Sequence, residues 1–181
     1  MFNGDLIDDC NTLLEFITNM KLHNANNRKN LNNGKAPKSC VYGYTKWKRY
    51  SNGKERKESA LYPKWYDTKL KTDYPEMESI FKKFADYHLP NDFKYSDIVI
   101  NKNFRTQKHK DASNVGLSYI IGLGDYEGGN VIVENQNNTT TFYNIKNQPV
   151  GFNGSLLYHS TEPFTGTRYS IVFYFNGQLL K

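Results

Sequence analysis

Cysteine is scarce in this chain: Cys10 and Cys40 are the only two among 181 residues. They do not form a Cys-x-x-Cys pair, so the sequence predicts neither a disulfide framework nor a cysteine-bound zinc cluster. No apolar run is long enough to cross a bilayer, and the first residues are acidic where a secretion signal is basic. These absences predict a soluble intracellular protein, whether nuclear, cytoplasmic or viral, with no membrane partner.

Aromatic residues, by contrast, are frequent, since 14 Tyr, 11 Phe and two Trp make up 15% of the chain. This composition favours a β-rich globular protein over a disordered chain. A chain of 181 residues is long enough to bury one hydrophobic core without disulfides or a structural metal. We therefore predict a single domain over residues 1–181, with a helical and basic part at 1–94 and a β core at 95–176.

Positive charge is concentrated in the first third of the chain. Residues 21–60 contain 11 Lys and Arg but only two acidic residues, whereas the net charge of the whole chain is +6. Aromatic residues are interleaved with this charge at 42–50. The stretch is either a solvated, lysine-rich loop or a surface that binds nucleic-acid phosphates and stacks bases, and the sequence leaves both interpretations open.

Apolar periodicity predicts two helices before residue 95. A stripe at helical spacing predicts an amphipathic helix over 4–21, and a similar stripe after Pro75 predicts a second helix over 75–87. The Asn- and Lys-rich stretch 23–38 shows no such periodicity and is predicted to be a flexible loop.

From residue 95 onward the pattern changes to short β-type runs separated by Gly, Asn or Pro. The predicted strands are Asp97–Asn101, Leu117–Gly122, Asn130–Glu134, Thr139–Ile145, Ser155–Tyr158 and Tyr169–Phe175. Many short strands with regular turns, such as the glycine-rich turn at 123–129, favour a barrel or jelly roll over a parallel βαβ sheet. The predicted fold class is therefore mainly β with flanking N-terminal helices (α+β).

A histidine and an aspartate are separated by one residue in this β-rich half, as His109-Lys110-Asp111. Residues i and i+2 of a strand share a face, so both side chains can point into one barrel mouth. His159 follows a predicted strand, and folding must bring it to the first pair. Two imidazoles and one carboxylate can occupy one face of an octahedral Fe(II) and leave positions for substrate and oxygen.

An arginine suited to holding a dicarboxylate co-substrate follows the last histidine. Arg168 and Ser170 share one face of the last predicted strand, where a bidentate guanidinium and a hydroxyl can bind one carboxylate. The order His-x-Asp, His, Arg-x-Ser therefore predicts an oxidising enzyme. The non-enzymatic alternative is a cupin-like barrel that has lost its metal and serves as a binding module.

This ordered set resembles the iron(II)/2-oxoglutarate dioxygenases, which have a double-stranded β-helix core of the jelly-roll or cupin type. The resemblance covers residues 95–176, and the N-terminal half matches no family that we can name. Within the superfamily, the stretches 109–115 and 118–129 look most like the TET/JBP branch, which oxidises the methyl group of pyrimidine bases in nucleic acid. The gap from the first ligand to His159 and the Arg168-x-Ser170 pair are also similar to that branch.

The resemblance implies a role for each residue of the set. His109, Asp111 and His159 would ligate Fe(II), and 2-oxoglutarate would chelate the iron through its keto-acid end. Arg168 and Ser170 would hold the distal carboxylate of this co-substrate. Oxygen, O2, would be the oxidant.

Five further residues are candidates for contacts around this centre. Arg105 is expected to meet the proximal carboxylate of the co-substrate, with Asn103 and Tyr119 as further contacts. Asn101 and Asn114 carry amide groups suited to hydrogen-bond a base edge, although an Asn beside a turn is often a cap instead. The implied substrate is nucleic acid, expected to be DNA, whose target base would be flipped into the pocket.

Other substrates remain open within the same superfamily. Prolyl, lysyl and small-molecule hydroxylases use the same triad and a basic residue in the same place, so the triad does not discriminate among them. A repair demethylase of the AlkB type is less expected, because that group carries a further arginine after the Arg-x-Ser pair and this chain continues with Phe173-Tyr174-Phe175-Asn176.

Overall fold

The computed structural model describes residues 2–49, 55–57, 65–137 and 139–180. This part of the chain contains helices α1 (Leu6–Thr18), α2 (Lys69–Asp73) and α3 (Met77–His88) and two short 3₁₀ helices (Asn26–Leu31 and Gly177–Leu180). The strands are β1 (Lys38–Tyr42), β2 (Tyr44–Thr45), β3 (Trp47–Arg49), β4 (Glu55–Lys57), β5 (Tyr66–Asp67), β6 (Asp97–Lys102), β7 (Asn114–Leu123), β8 (Tyr126–Gly128), β9 (Val131–Glu134), β10 (Thr140–Tyr143), β11 (Val150–Phe152), β12 (Tyr158–Thr161), β13 (Phe164–Gly166) and β14 (Tyr169–Asn176).

The largest sheet is antiparallel and has five strands in the order β1-β6-β14-β7-β11. Its central strand β14 places Ile171 between Ile100 of β6 and Ile121 of β7. The neighbouring position, Ser170, lies opposite Asn101. Because side chains alternate across a sheet, the isoleucine row faces one side and the polar pair faces the other.

Helices α1 and α3 cover the apolar side of this sheet, and both predicted helices are confirmed. The carboxylate of Asp5 accepts the backbone N–H groups of Ile7 and Asp8, which caps α1 and explains why it begins later than predicted. Phe84 of α3 is fully buried and stacks on Phe173 of β14, with ring centroids 6.3 Å apart.

A smaller layer packs against the other side of the large sheet. Strand β9 lies between β10 and β12 in a three-stranded sheet, and β8 pairs with β13. Val131, Val133, Ile145 and Phe152 form a second buried cluster, against which Ile120 of the large sheet packs. Two antiparallel layers wound around a common interior form a double-stranded β-helix, as predicted.

The strand predicted at 155–158 is wrong, because residues 154–156 form a turn and β12 begins only at Tyr158. The side chain of Asn153 accepts the backbone N–H groups of Ser155 and Leu156, which holds this turn. His159 consequently lies inside a strand rather than after one. The predicted strands also omitted eight short elements, namely β1 to β5, β8, β11 and β13.

The stretch 23–38 was predicted to be a flexible loop, and this is also wrong. It contains the 3₁₀ helix at Asn26–Leu31, and backbone hydrogen bonds join the two ends of the stretch to each other and its middle to Gln107. The N–H of Ala25 donates to Pro37, and the carbonyl of Leu31 accepts from Gln107 at 3.0 Å. Since β1 joins the large sheet, the N-terminal part contributes directly to the β core.

Two further predictions are tested only in part. Within the described residues no helix is both long and apolar enough to cross a membrane. The basic stretch 21–60 lies partly outside the described residues, at 50–54 and 58–60. Of residues 47–49 and 55–57 only the backbone is described, so most of the interleaved aromatic side chains are not tested.

The helix–sheet packing predicts that two aromatic residues of α3 contribute very differently to the stability of the fold. Phe84→Ala should lower the free energy of unfolding by about 3–5 kcal/mol, because it removes a buried ring and leaves a cavity. Tyr87 is 57% exposed, so Tyr87→Ala is the matched control and should cost less than about 1 kcal/mol. Urea denaturation followed by circular dichroism measures both, and equal losses would contradict the packing.

Candidate active site

His109 and His159 are held beside each other by their own backbones. The N–H of His109 donates to the carbonyl of His159 at 3.0 Å, and the N–H of His159 donates back to the carbonyl of His109 at 2.9 Å. Residues that exchange both hydrogen bonds in this way lie directly opposite each other, with side chains on the same face. Asp111 lies on that face too, because its N–H donates to the carbonyl of Gly154 at 2.9 Å.

Both imidazoles turn the same ring nitrogen toward Asp111. Nδ1 of His109 lies 2.7 Å from the carbonyl of Gln107, and Nδ1 of His159 lies 3.1 Å from the carbonyl of Leu157. A carbonyl only accepts, so each Nδ1 carries the proton and each Nε2 keeps its lone pair. The two Nε2 atoms lie 3.4 Å and 3.6 Å from the carboxylate oxygens of Asp111.

These three ligand atoms are all within 4.8 Å of one another, and their electrostatics suit a divalent cation. Burial alone raises the pKa of Asp111, but its interactions with His109, His159 and Arg28 lower it overall. Burial lowers the pKa of His159, against the opposing effect of Asp111. An ionised carboxylate and a neutral imidazole are the forms that bind metal, and the set fits Fe(II).

Two residues support Asp111: Asn114, which the sequence predicted only as a contact to a base, and Gly154, which the sequence did not reveal. The amide of Asn114 donates to Oδ2 of Asp111 at 3.2 Å and to Ser118 at 3.1 Å. A Cβ on Gly154 would lie 2.8 Å from Oδ2 of Asp111 and 3.2 Å from Cε1 of His159. Because Gly154 has no side chain, it leaves room for the side chains of Asp111 and His159. In the sequence, the one indication of this role is that the glycine lies shortly before the second histidine.

The triad opens into a cavity of about 340 Å³ between the two layers of the β-helix. Apolar side chains of the large sheet, including Val99, Ile120 and Val172, line one wall together with Asn101 and Ser170. A cavity of this size and mixed lining is typical of small-ligand sites.

Arg168 is 1% exposed and lies between the rings of Tyr126 and Phe164, whose centroids are 5.6 Å and 5.4 Å from its guanidinium carbon. It lies outside the cavity lining, whereas Ser170 belongs to it. Within the described residues, Nε and Nη2 of Arg168 have no hydrogen-bond partner. Nε and Nη2 form one fork of the guanidinium, the arrangement that binds a carboxylate bidentately. Buried donors without a protein acceptor fit a dicarboxylate co-substrate such as 2-oxoglutarate.

A chain of hydrogen bonds orients the hydroxyl of Ser170. Nη1 of Arg28 donates to Oγ of Ser39 at 3.3 Å, and Ser39 donates to Oδ1 of Asn101 at 2.6 Å. Nδ2 of Asn101 then donates to Oγ of Ser170 at 3.1 Å. Arginine can only donate, so it sets the direction of the whole chain. Ser170 accepts from Asn101 and keeps its own proton to donate to a carboxylate.

Three predicted co-substrate contacts lie outside the cavity. Arg105 is exposed and donates to the backbone carbonyl of Thr161. The side chain of Asn103 accepts the N–H of Arg168 at 2.8 Å, so it supports the backbone of the clamp instead. Tyr119 belongs to the helix-facing side of β7, where its ring packs against Phe93 at 4.7 Å.

The two predicted base-reading residues do line the cavity, but each amide is engaged by the protein. Both amide atoms of Asn101 bind neighbouring serines, and the NH₂ group of Asn114 binds Asp111 and Ser118. Their side chains orient the site, and a contact with a base stays a prediction.

No known family profile and no curated protein matches the chain. The fold is similar to a prolyl-4-hydroxylase from Pseudomonas putida, with a TM-score of 0.51, 11% identity and coverage of 97% of this chain and 88% of that chain. An oxidoreductase of the 2OG-Fe(II) oxygenase family from Burkholderia pseudomallei is similar with a TM-score of 0.44 and 16% identity over 64% of this chain and 60% of that one. NgTET1, solved in complex with 5mC DNA, gives a TM-score of 0.46 and 15% identity over 82% of this chain and 64% of that one.

The likeness to the P. putida enzyme shows the fold alone, because the identity is only 11%. The chain spans less than two thirds of the other two proteins, and those weaker likenesses add no argument. The shared fold and the cluster of His109, Asp111 and His159 agree with the predicted Fe(II)- and 2-oxoglutarate-dependent enzyme. They do not separate the TET/JBP branch from the prolyl hydroxylases.

The close approach at Gly154 predicts a loss of metal affinity when a methyl group is added. Gly154→Ala should weaken Mn(II) or Fe(II) binding about 10- to 100-fold, because the new Cβ displaces Asp111 and His159. Isothermal titration under anaerobic conditions measures the affinity.

Gly34→Ala is the control for this substitution. A Cβ at Gly34 meets nothing within 4 Å, but its φ of +80° makes the change strained. It should therefore cost roughly 1–3 kcal/mol of stability and leave metal affinity unchanged. Equal losses of metal affinity in the two variants would show that Gly154 acts only through stability.

The hydrogen-bond chain predicts that Ser39 acts on co-substrate affinity from a distance. Ser39→Ala frees the amide of Asn101 to reorient, so it should raise the Kd for 2-oxoglutarate about fivefold, the effect of one hydrogen bond. The same substitution in Ser170→Ala protein should add little, because the hydroxyl that the chain orients is gone. The Kd values are measured by titration without oxygen. Additive effects of the two substitutions in this double-mutant cycle would contradict the proposed action of the hydrogen-bond chain.

Proposed function

We propose that the protein is an Fe(II)- and 2-oxoglutarate-dependent dioxygenase that hydroxylates a C–H bond. The observation that carries the proposal is the convergence of His109, Asp111 and His159 in one cavity with Ser170, two residues from the unpaired fork of Arg168. A degenerate barrel has no reason to retain ionised ligands, oriented imidazoles and a buried guanidinium together, since burying an unpaired charge is costly.

Each residue of the site has a defined task in this reaction. His109, Asp111 and His159 hold the metal on one face, and the backbone carbonyls at Nδ1 fix their orientation. Arg168 and Ser170 bind the distal carboxylate of the co-substrate. Fe(II) and 2-oxoglutarate supply, when bound, the oxidation of a C–H bond by O2. The apolar walls of the cavity keep water from the reacting centre.

The substrate that we propose is the methyl group of a 5-methylpyrimidine base in DNA. Tyr158 is 47% exposed and lies next to His159 in the chain, with Nζ of Lys108 and Lys110 at 4.9 Å and 4.5 Å from its ring centroid. Lys110 also lines the cavity, and ammonium groups beside an exposed aromatic ring suit a phosphate backbone and its bases. A base in duplex DNA would be flipped to reach the metal, at a cost of a few kcal/mol.

The experiment that tests the substrate uses protein loaded with Fe(II) and 2-oxoglutarate without oxygen. The loaded protein is then exposed to O2 with methylated DNA, unmethylated DNA or peptide pools. We expect a gain of one oxygen, detected by mass spectrometry, in methylated DNA alone. A gain confined to prolyl or lysyl peptides would establish the protein-hydroxylase alternative instead.

Loss of one ligand should abolish turnover without unfolding the protein. Asp111→Ala removes the carboxylate that completes the metal face, so succinate production should fall to background. Asp92 is exposed and lies outside the cavity, so Asp92→Ala removes the same charge and should retain full activity. Full succinate production by Asp111→Ala protein would rule out this metal centre.

A further inference from the structure

The cavity contains a cation that neither ligates the metal nor binds the co-substrate in the proposed function. Arg28 lines it from the 3₁₀ helix at Asn26–Leu31, a segment outside residues 95–176, to which the sequence resemblance is confined. The segment is held in place at both ends, and the carbonyl of Leu31 is bonded to Gln107, two residues before the first metal ligand. Arg28 therefore belongs to a segment of the cavity wall that backbone hydrogen bonds hold in place.

The donors of Arg28 are largely free. Its side chain makes one hydrogen bond with the described residues, from Nη1 to Ser39, and forms no ion pair with them. A guanidinium has five N–H donors in a planar fork. A purely structural arginine in a half-buried position normally pairs with a carboxylate, since an unpaired buried charge is costly.

The cavity as a whole favours an anion. Asp111 is the one carboxylate among its described lining residues, and it belongs to the metal site. Arg28 and Lys110 both line the cavity and carry positive charge. Because the charge of Asp111 is offset by a bound metal, the remaining wall is net positive, which attracts a phosphate and repels a lysyl side chain.

Lys110 connects the cavity to a second, more exposed surface. Lys110 makes no ion pair with the described residues, and Lys108 is paired with Glu134 at 2.6 Å. Lys108 and Lys110 flank Tyr158, and Leu156 beside it is 57% exposed. Two cations that line the cavity, with an exposed aromatic ring beside one of them, match a phosphodiester chain better than a single carboxylate.

We propose that Arg28 binds a backbone phosphate of the nucleic-acid substrate and so determines the substrate class. The assignment rests on the proposed oxygenase function and deepens it. Arg28 contacts the phosphate through the donors that Ser39 leaves free, while the neighbouring base enters toward the metal. The N-terminal segment is then the substrate-recognition part of the protein.

The test compares two short single-stranded oligonucleotides of one sequence, each with one 5-methylcytosine. One has the normal phosphodiester backbone and the other a neutral methylphosphonate backbone. Binding is measured by fluorescence anisotropy on protein saturated with Mn(II) and 2-oxoglutarate without oxygen. The variants are Arg28→Gln, Arg28→Lys and, as a control, Arg105→Gln, which removes an exposed arginine outside the cavity.

Arg28→Gln should weaken binding of the phosphodiester oligonucleotide about tenfold, the loss of one hydrogen bond to a charged group, and leave the neutral one unaffected. The slope of log K against log salt should fall by about 0.7. Arg28→Lys should retain most of the affinity, and Arg105→Gln should match the wild type. Wild-type binding by Arg28→Gln, or equal loss for both oligonucleotides, overturns the proposal.

The two proposals fail differently. DNA that is oxidised independently of Arg28 overturns the phosphate site and leaves the oxygenase standing. An oligonucleotide that binds through Arg28, while no succinate forms and neither DNA nor peptide gains oxygen, overturns the oxygenase and leaves the phosphate site standing.

Discussion

The reciprocal backbone pairing of His109 with His159 is the constraint on which the site depends. It brings together residues that are far apart in the chain and places both imidazoles on one face. The same carbonyl-directed geometry fixes both tautomers, so each Nε2 faces Asp111. A metal centre needs ligands that are oriented before the ion arrives. Here the backbone provides that orientation, because it fixes the positions of both histidines and its carbonyls bind their Nδ1 atoms.

The N-terminal part of the chain contributes residues to the site. Strand β1 extends the large sheet and contributes Ser39, and the 3₁₀ helix contributes Arg28. Because an arginine can only donate, this one residue sets the direction of hydrogen bonds as far as Ser170. Two arginines thus serve opposite ends of the proposed chemistry. In the proposed function, Arg168 would bind the co-substrate and Arg28 would bind the substrate.

Keeping these cations in the interior has a cost in stability. Desolvating a guanidinium without an acidic partner costs several kcal/mol, and burial lowers the pKa of Arg168. The helices on the far side of the large sheet offset that cost through an aromatic and aliphatic core around Phe81, Phe84 and Phe173. The sheet therefore separates two tasks, since one face stabilises the fold and the other carries the chemistry.

The sequence by itself identified the candidate ligands, the Arg-x-Ser pair, the two longer α-helices and most long strands, because these follow from local periodicity and from residue chemistry at short spacing. Tertiary structure alone decided which face of each strand lines the cavity. Tyr119 lies between two cavity-facing residues and points to the helices, although apolar residues occupy both faces of β7 and conceal the difference. Tertiary structure also decided that Arg28 lines the cavity and that Arg105 does not. Long-range backbone hydrogen bonds position the two segments, and no local sequence pattern predicts such bonds.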